Sequence, residues 1–125
     1  MAERTDDGSV GDDEVLWRRI VPGWIHKGDD NSYRPQSVAF VDRLSGELSV
    51  HQASKTTLEK VLATRDGDSV VAFKARLPRS LGLKVVPDPD EHDPSHVLIC
   101  PSPKGSTAKQ MAKQSTWVKL RLPPA

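Results

Sequence analysis

The sequence predicts an α+β fold: a single domain with a mixed β-sheet, two to three short helices and a disordered acidic N-terminal arm. Three observations carry this. The 125 residues suit one domain, and with 36% hydrophobic side chains they can bury a core without metal or disulfide staples. Period-two and helical patterns interleave along the chain, but without the regular spacing of βαβ units. Residues 1–14 hold six acids (Glu3, Asp6, Asp7, Asp12, Asp13, Glu14) against one base, Arg4, and few bulky apolar side chains. Such a segment offsets little of its ordering entropy by burial. The expected division is an arm over residues 1–14 and a domain over residues 15–125.

Order begins at Val15. Residues 15–21 (VLWRRIV) are β-branched and aromatic and stop at Pro22-Gly23, which predicts a strand. Residues 27–35 (KGDDNSYRP) read as a loop. Residues 37–41 and 47–51 flank a five-residue connection containing Gly46, the pattern of a hairpin. In the second of these, Leu48 and Val50 alternate with Ser49 and His51, as in a sheet with one wet face. Thr56-Thr57-Leu58-Glu59 fits a capping box, with the Thr56 hydroxyl accepting from a first-turn amide and Glu59 reaching back. Leu58, Val61 and Leu62 then form the apolar face of a short helix that ends before Asp66-Gly67.

Residues 69–77 are the clearest strand, with Val71, Phe73, Ala75 and Leu77 on one face and Lys74 and Arg76 on the other. Pro78 at a first helical position and Gly82 beyond the last predict one helical turn. Residues 83–86 form a short strand stopped by Pro87-Asp88-Pro89-Asp90, and the continuous apolar run over residues 97–100 predicts a central strand. Ser106 or Thr107 caps a helix whose Ala108, Met111, Ala112 and Ser115 make a small-residue face. From Trp117 the period changes to two, with Val118, Leu120 and Leu122 on one side and Trp117, Lys119 and Arg121 on the other. Val71, Phe73, Leu98 and Val118 are expected to share one core.

Charge and composition narrow the function classes. The totals, 18 basic and 17 acidic, hide a gradient from the acidic start to five bases and no acid over residues 104–125. No stretch approaches the roughly 18 apolar residues of a membrane helix, so no membrane partner is expected. The start of the chain lacks the basic and apolar regions of a signal peptide. One cysteine, Cys100, cannot form an internal disulfide, and a reducing, cytoplasmic location is the natural expectation.

Several groups are candidates for chemistry. His92-Asp93-Pro94-Ser95-His96, with Cys100 four residues on, contains metal-ligand types, but Pro94 opposes the helical geometry that would align the two histidines, and no cysteine pair exists. Metal is therefore not expected. Lys104-Gly105-Ser106-Thr107 opens a helix whose free amides attract anions, and with Lys109 it forms a candidate anion site, although a Walker-type loop is absent. Lys109, Lys113, Lys119 and Arg121, with Trp117 and Tyr33, are the basis for a nucleic-acid-binding reading of the basic C-terminal segment, yet six aromatics in the whole chain are few for a stacking platform. No Ser–His–Asp spacing signature is present.

Leu16-Trp17-Arg18-Arg19-Ile20, the stretch over residues 34–40 and Asp93-Pro94-Ser95-His96 resemble an uncharacterised family of small bacterial proteins; that resemblance implies a bacterial source and no activity. The order of Leu16-Trp17-Arg18-Arg19-Ile20, the strand around Leu48, the helix with Glu59 and the run over residues 70–78 is also similar to the ADP-ribosyltransferase-like scaffold of RES-domain toxins. This second resemblance implies that Arg18 contacts the phosphates of NAD and that Glu59 lies near the nicotinamide ribose. The glycine-rich segment with Arg-Trp-Asn that such toxins carry is missing. The first expectation is thus a cytoplasmic binding or accessory module with a protein partner and no cofactor, serving a larger effector in a bacterial effector or defence operon. An NAD-consuming enzyme using Arg18 and Glu59 is the alternative, and a nucleic-acid-binding module the third.

Overall fold

A computed structural model describes residues 5–63 and 67–121. Its frame is a six-stranded sheet of β1 (Val15–Ile20), β4 (Leu48–Gln52), β5 (Ser69–Lys74), β6 (Lys84–Pro87), β7 (His96–Cys100) and β8 (Thr116–Lys119), in the order β6-β7-β4-β1-β5-β8. Between β1 and β4 the chain makes a separate hairpin of β2 (Ile25–Lys27) and β3 (Tyr33–Pro35). The helices are α1 (Leu58–Val61), α2 (Arg76–Ser80) and α3 (Gly105–Gln114). Every pairing among the described strands is antiparallel, so the mixed sheet expected from sequence is corrected to an antiparallel one. Each strand finds its neighbour without the helical crossover that a parallel pair needs.

Alternation along β1 divides the molecule. Leu16 and Ile20 face a main core with Phe40, Val71, Ile99 and Met111, covered by α3 and by a 3-10 turn over Ser37–Phe40. Trp17 points the other way, where it packs with Leu58 against Val61, Leu62 and Val70 under α1. The sheet, its helices and the docked arm form one α+β domain.

Several expectations are revised. In place of the strand expected over residues 37–41, Ser37–Phe40 form the 3-10 turn; Ala39 and Phe40 are both buried at consecutive positions, which a strand with one wet face does not allow. The expected loop over residues 27–35 is half hairpin: Gly28 and Ser32 close its turn at 2.8 Å, with Asn31 in the left-handed region at φ 65°. The cap of α1 is Thr57, whose hydroxyl accepts from the Lys60 amide at 3.2 Å, and not Thr56. Strand β5 stops at Lys74, since Ala75 already has helical angles and α2 follows. Neither Ser106 nor Thr107 caps α3; Lys104 stands at that position with no side-chain bond.

In β8 the two faces are reversed. Trp117, opposite Val71, packs on the main core and donates its Nε1 proton to the Tyr33 carbonyl at 2.9 Å, while Val118 and Leu120 are 38% and 36% exposed. One indole buries more apolar area than a valine and satisfies its N–H as well. Leu98 is buried on the opposite side of β7 from Val97 and Ile99, outside the main core, and Leu122 lies outside the described residues.

The acidic arm is the largest correction. Residues 1–4 lie outside the described residues, but from Asp6 onward the segment is docked. Val10 is 1% exposed within the main core. The Asp6 carboxylate accepts from the Val85 amide at 2.8 Å and the Asp7 amide donates to the Val85 carbonyl at 3.0 Å, so the arm supplies the partner that edge strand β6 lacks. Arg79 grips Asp6 at 3.0 Å, Asp12 at 2.8 Å and the Asp7 carbonyl at 2.9 Å, and Arg76 and Lys74 pair with Asp13. Repulsion between the acids is answered by bases far along the chain.

Candidate functional site

Two arginines on successive positions of β1 take opposite sides of the sheet. Arg18 lies between Leu16 and Ile20 on the core face, where its Nε donates to the Ala39 carbonyl at 2.9 Å and its Nη1 to the Ser49 carbonyl at 3.0 Å. Its guanidinium stands 5.7 Å from the Trp24 ring. Burial, with Arg19 next to it, pulls its pKa down to about 10 against the opposing pull of Asp42. These bonds make Arg18 a strut between the 3-10 turn and β4. Arg19 faces α1, its Nε 3.1 Å from the buried Asp68 carboxylate and its Nη1 donating to the Val61 carbonyl at 3.4 Å. Glu59 is exposed on α1. Arg18 and Glu59 therefore stand on opposite sides of the sheet, and the structure does not bring them together.

The residues of the candidate anion site also separate. Lys104 lines a cleft of about 510 Å³ with Arg43, Asp42 and Ser102 at the start of α3. The Asp42 carboxylate accepts from the Ser45 and Leu44 amides, each at 3.0 Å; these bonds, Ser45 first, hold it below the usual carboxylate range. An anion entering there meets a standing negative charge. Ser106 is exposed and Thr107 half-buried, and neither lines this cleft. Lys109, one turn on, lines a different one.

That second cleft, of about 250 Å³, runs between α3 and β3 and is lined by Arg34, Pro35, Ser37, Lys109, Ala112 and Lys113. Helical spacing sets Lys109 and Lys113 one above the other on α3. Strand alternation turns Arg34 outward while Pro35 is buried. All three cations are exposed, and none has a carboxylate within ion-pair distance among the described residues. The neighbouring rings are engaged: Trp117 bonds inward to Tyr33, and Lys27 Nζ stands 5.9 Å from the Tyr33 ring. Lys119 and Arg121 belong to the end of the chain around β8, apart from this cleft. Sequence reasoning found the lysines and missed Arg34 as their companion; the buried–exposed alternation of a strand over residues 33–35 was the signal.

On the α1 side a polar cluster joins β4 to the segment before β7. His51 Nδ1 lies 3.2 Å from Asp93 Oδ2 and 3.2 Å from Ser95 Oγ, while Ser95 Oγ donates to Asp93 Oδ1 at 2.5 Å. His96 Nδ1 stands 3.0 Å from Asp88 Oδ2, and the two histidine rings lie 6.3 Å apart, edge to face. Burial pushes the His51 pKa down, partly opposed by Asp93; Asp93 is held low, against its own burial, by Ser95 and His51. Both Ser95 and Asp93 meet the same imidazole nitrogen, so this is no proton relay from serine through histidine. Sequence reasoning singled out residues 92–96 but not His51, whose pairing with His96 depends on the β4–β7 register. Among the described residues, no group of three or more His, Cys, Asp and Glu side chains could hold a metal ion. Cys100 is buried, its Sγ 3.1 Å from Glu47 Oε2.

No family model matches the chain, and no curated protein or solved structure is similar to it.

Proposed function

We propose that the chain is a binding module that docks an acidic segment of a protein partner on the α3–β3 cleft. The observation that carries this reading is the convergence of Arg34, Lys109 and Lys113 on one groove whose lining holds no carboxylate, Asp30 lying near Arg34 but outside it. Elsewhere the bases that face acids are occupied: Arg76, Arg79 and Lys74 by the arm, and Arg19 by Asp68. Unpaired cations in a concave site raise the local concentration of anions and speed encounter with them. A peptide bearing carboxylates supplies the charge that complements Arg34, Lys109 and Lys113 in the groove. Nucleic acid is the weaker partner because Trp117 and Tyr33 are already engaged and offer no free stacking pair. No helix of the described residues is long and apolar enough to cross a membrane, and the one buried cysteine suits a reducing cytoplasm.

The test is fluorescence anisotropy of a labelled Glu-rich peptide, with single-stranded DNA of matched length as competitor. The peptide is expected to bind at low salt and to weaken as salt rises. Reversing two charges in Lys109→Glu/Lys113→Glu should cost at least about tenfold in affinity, or ~1.4 kcal/mol. Preferential binding of the DNA would replace this reading with the nucleic-acid one, and equal peptide affinity in the double variant would remove the cleft from consideration.

A further inference from the structure

The His51 cluster opens on a cleft of about 380 Å³ between β4, α1 and the segment before β7. We infer that this cleft binds a phosphate group, at a site on the opposite side of the sheet from the α3–β3 cleft. Its geometry has three parts. Ser95 Oγ donates its proton to Asp93 and so accepts from His51 Nδ1, with Asp93 Oδ2 3.2 Å from the same nitrogen; the proton of the neutral ring therefore resides on Nδ1, and the Nε2 lone pair is left without a partner among the described residues. Lys55 and Lys60 flank the same cleft from the turn after β4 and from α1, each exposed and with no carboxylate in ion-pair range among the described residues. Thr56 adds a hydroxyl to the lining. The cleft lies within the usual range for small-ligand sites, roughly 300–1,000 Å³.

The charges around His51 decide which ligand fits. Asp93 is the carboxylate of the lining; its Oδ1 accepts from Ser95 and its Oδ2 faces His51 Nδ1 at 3.2 Å. His92, also lining the cleft, pairs with Glu91 outside it at 3.4 Å. His96 stands next to His51, with its Nδ1 on Asp88, and Arg19 and Arg18 contribute positive potential from β1. The balance is positive and favours an anion. A dianion placed between the lysines would draw a proton onto His51 Nε2, giving it a charge-assisted hydrogen bond while Nδ1–H stays on Ser95 Oγ, beside the Asp93 carboxylate. Binding is thus coupled to proton uptake by one histidine, and its tightness falls as pH rises above the pKa of the bound form.

The experiment is an NMR titration of the full chain with inorganic phosphate, following the His51 ring protons. A saturable shift with Kd on the order of millimolar is expected, together with a rise in the His51 pKa in saturating phosphate. Lys55→Ala/Lys60→Ala should weaken binding by at least about tenfold, whereas Lys109→Glu/Lys113→Glu should leave it unchanged. No saturable shift in the wild-type protein, or equal affinity in the Lys55/Lys60 variant, would overturn the inference. Phenyl phosphate as a second probe distinguishes the source of the group: tighter binding than inorganic phosphate assigns the site to an ester, equal or weaker binding to the free ion. Each of these outcomes is independent of whether the α3–β3 cleft binds a peptide.

Discussion

Arg18 and Arg19 show how a one-residue step decides a side chain's role. On a strand the two must take opposite faces, and Trp17, two positions from Arg19, packs under α1. Arg19 shares that face and needs a carboxylate to tolerate it, which Asp68 supplies at 3.1 Å. Arg18 enters the core face instead and replaces a strand pairing: β1 and β4 are in register at Leu16↔Gln52 and Trp17↔His51, and beyond them the guanidinium takes the Ser49 carbonyl. Arg18→Met keeps the apolar stem but leaves the Ala39 and Ser49 carbonyls without their charged donor. We expect a loss of about 1–3 kcal/mol in urea melts, only partly recovered in Arg18→Lys, because one ammonium cannot span two carbonyls as the planar fork does. A loss below about 0.5 kcal/mol would show that water substitutes for the guanidinium.

At the scale of elements, β1, β4, β7 and α3 were legible from local signals that survive whatever the tertiary context: β-branched and aromatic content in β1, alternation in β4, a continuous apolar run in β7 and a helical stripe in α3. What failed depended on distant partners. Ser37–Phe40 has strand-like residues but is drawn into a turn by the burial of Phe40 against Phe73, rings 6.4 Å apart. β8 was given its apolar count rather than its heaviest side chain. The candidate site suffered likewise: Lys109 and Lys113 were visible on one helix, but Arg34 and His51 join their clusters through contacts that no local spacing encodes. The arm is the clearest case, since its acids look repulsive until Arg76 and Arg79 are placed opposite. If Asp6 truly stands in for a neighbouring strand, the Val85 amide should be protected from hydrogen exchange in the native protein. Asp6→Ala should speed its exchange, and Asp6→Asn, which keeps a carbonyl acceptor, should largely preserve protection. An unprotected Val85 amide in the wild-type chain would mean that the arm does not hold the edge.

Across the whole molecule, the ionisable groups make stability depend on pH in two separate ranges. His51 has its pKa lowered from the ordinary 6.5, chiefly by burial, so the unfolded chain takes up this proton more readily than the native one. Its contribution is full above 6.5 and declines as pH falls below that value, until the native imidazole also protonates. The carboxylates act lower. Asp13 is held below the ordinary 3.8 by Arg76; Asp6, against its partial burial, by the Val85 amide and Arg79; and Asp93, against burial, by Ser95 and His51. Their stabilisation is present above 3.8 and is lost as pH falls through their lower native values. Thermal melts taken downward from pH 8 should therefore show a first decline beginning near 6.5 and a second, steeper one beginning near 3.8. His51→Gln should abolish the first decline and leave the part of the second that Asp6 and Asp13 carry; Asp6→Asn/Asp13→Asn should shrink the second and leave the first. Because the first range belongs to the α1 side of the sheet and most of the second to the arm along β6, the two variants should act additively. A Tm that stays level between pH 8 and the carboxylate range would show that His51 is as well solvated in the folded protein as in the unfolded chain.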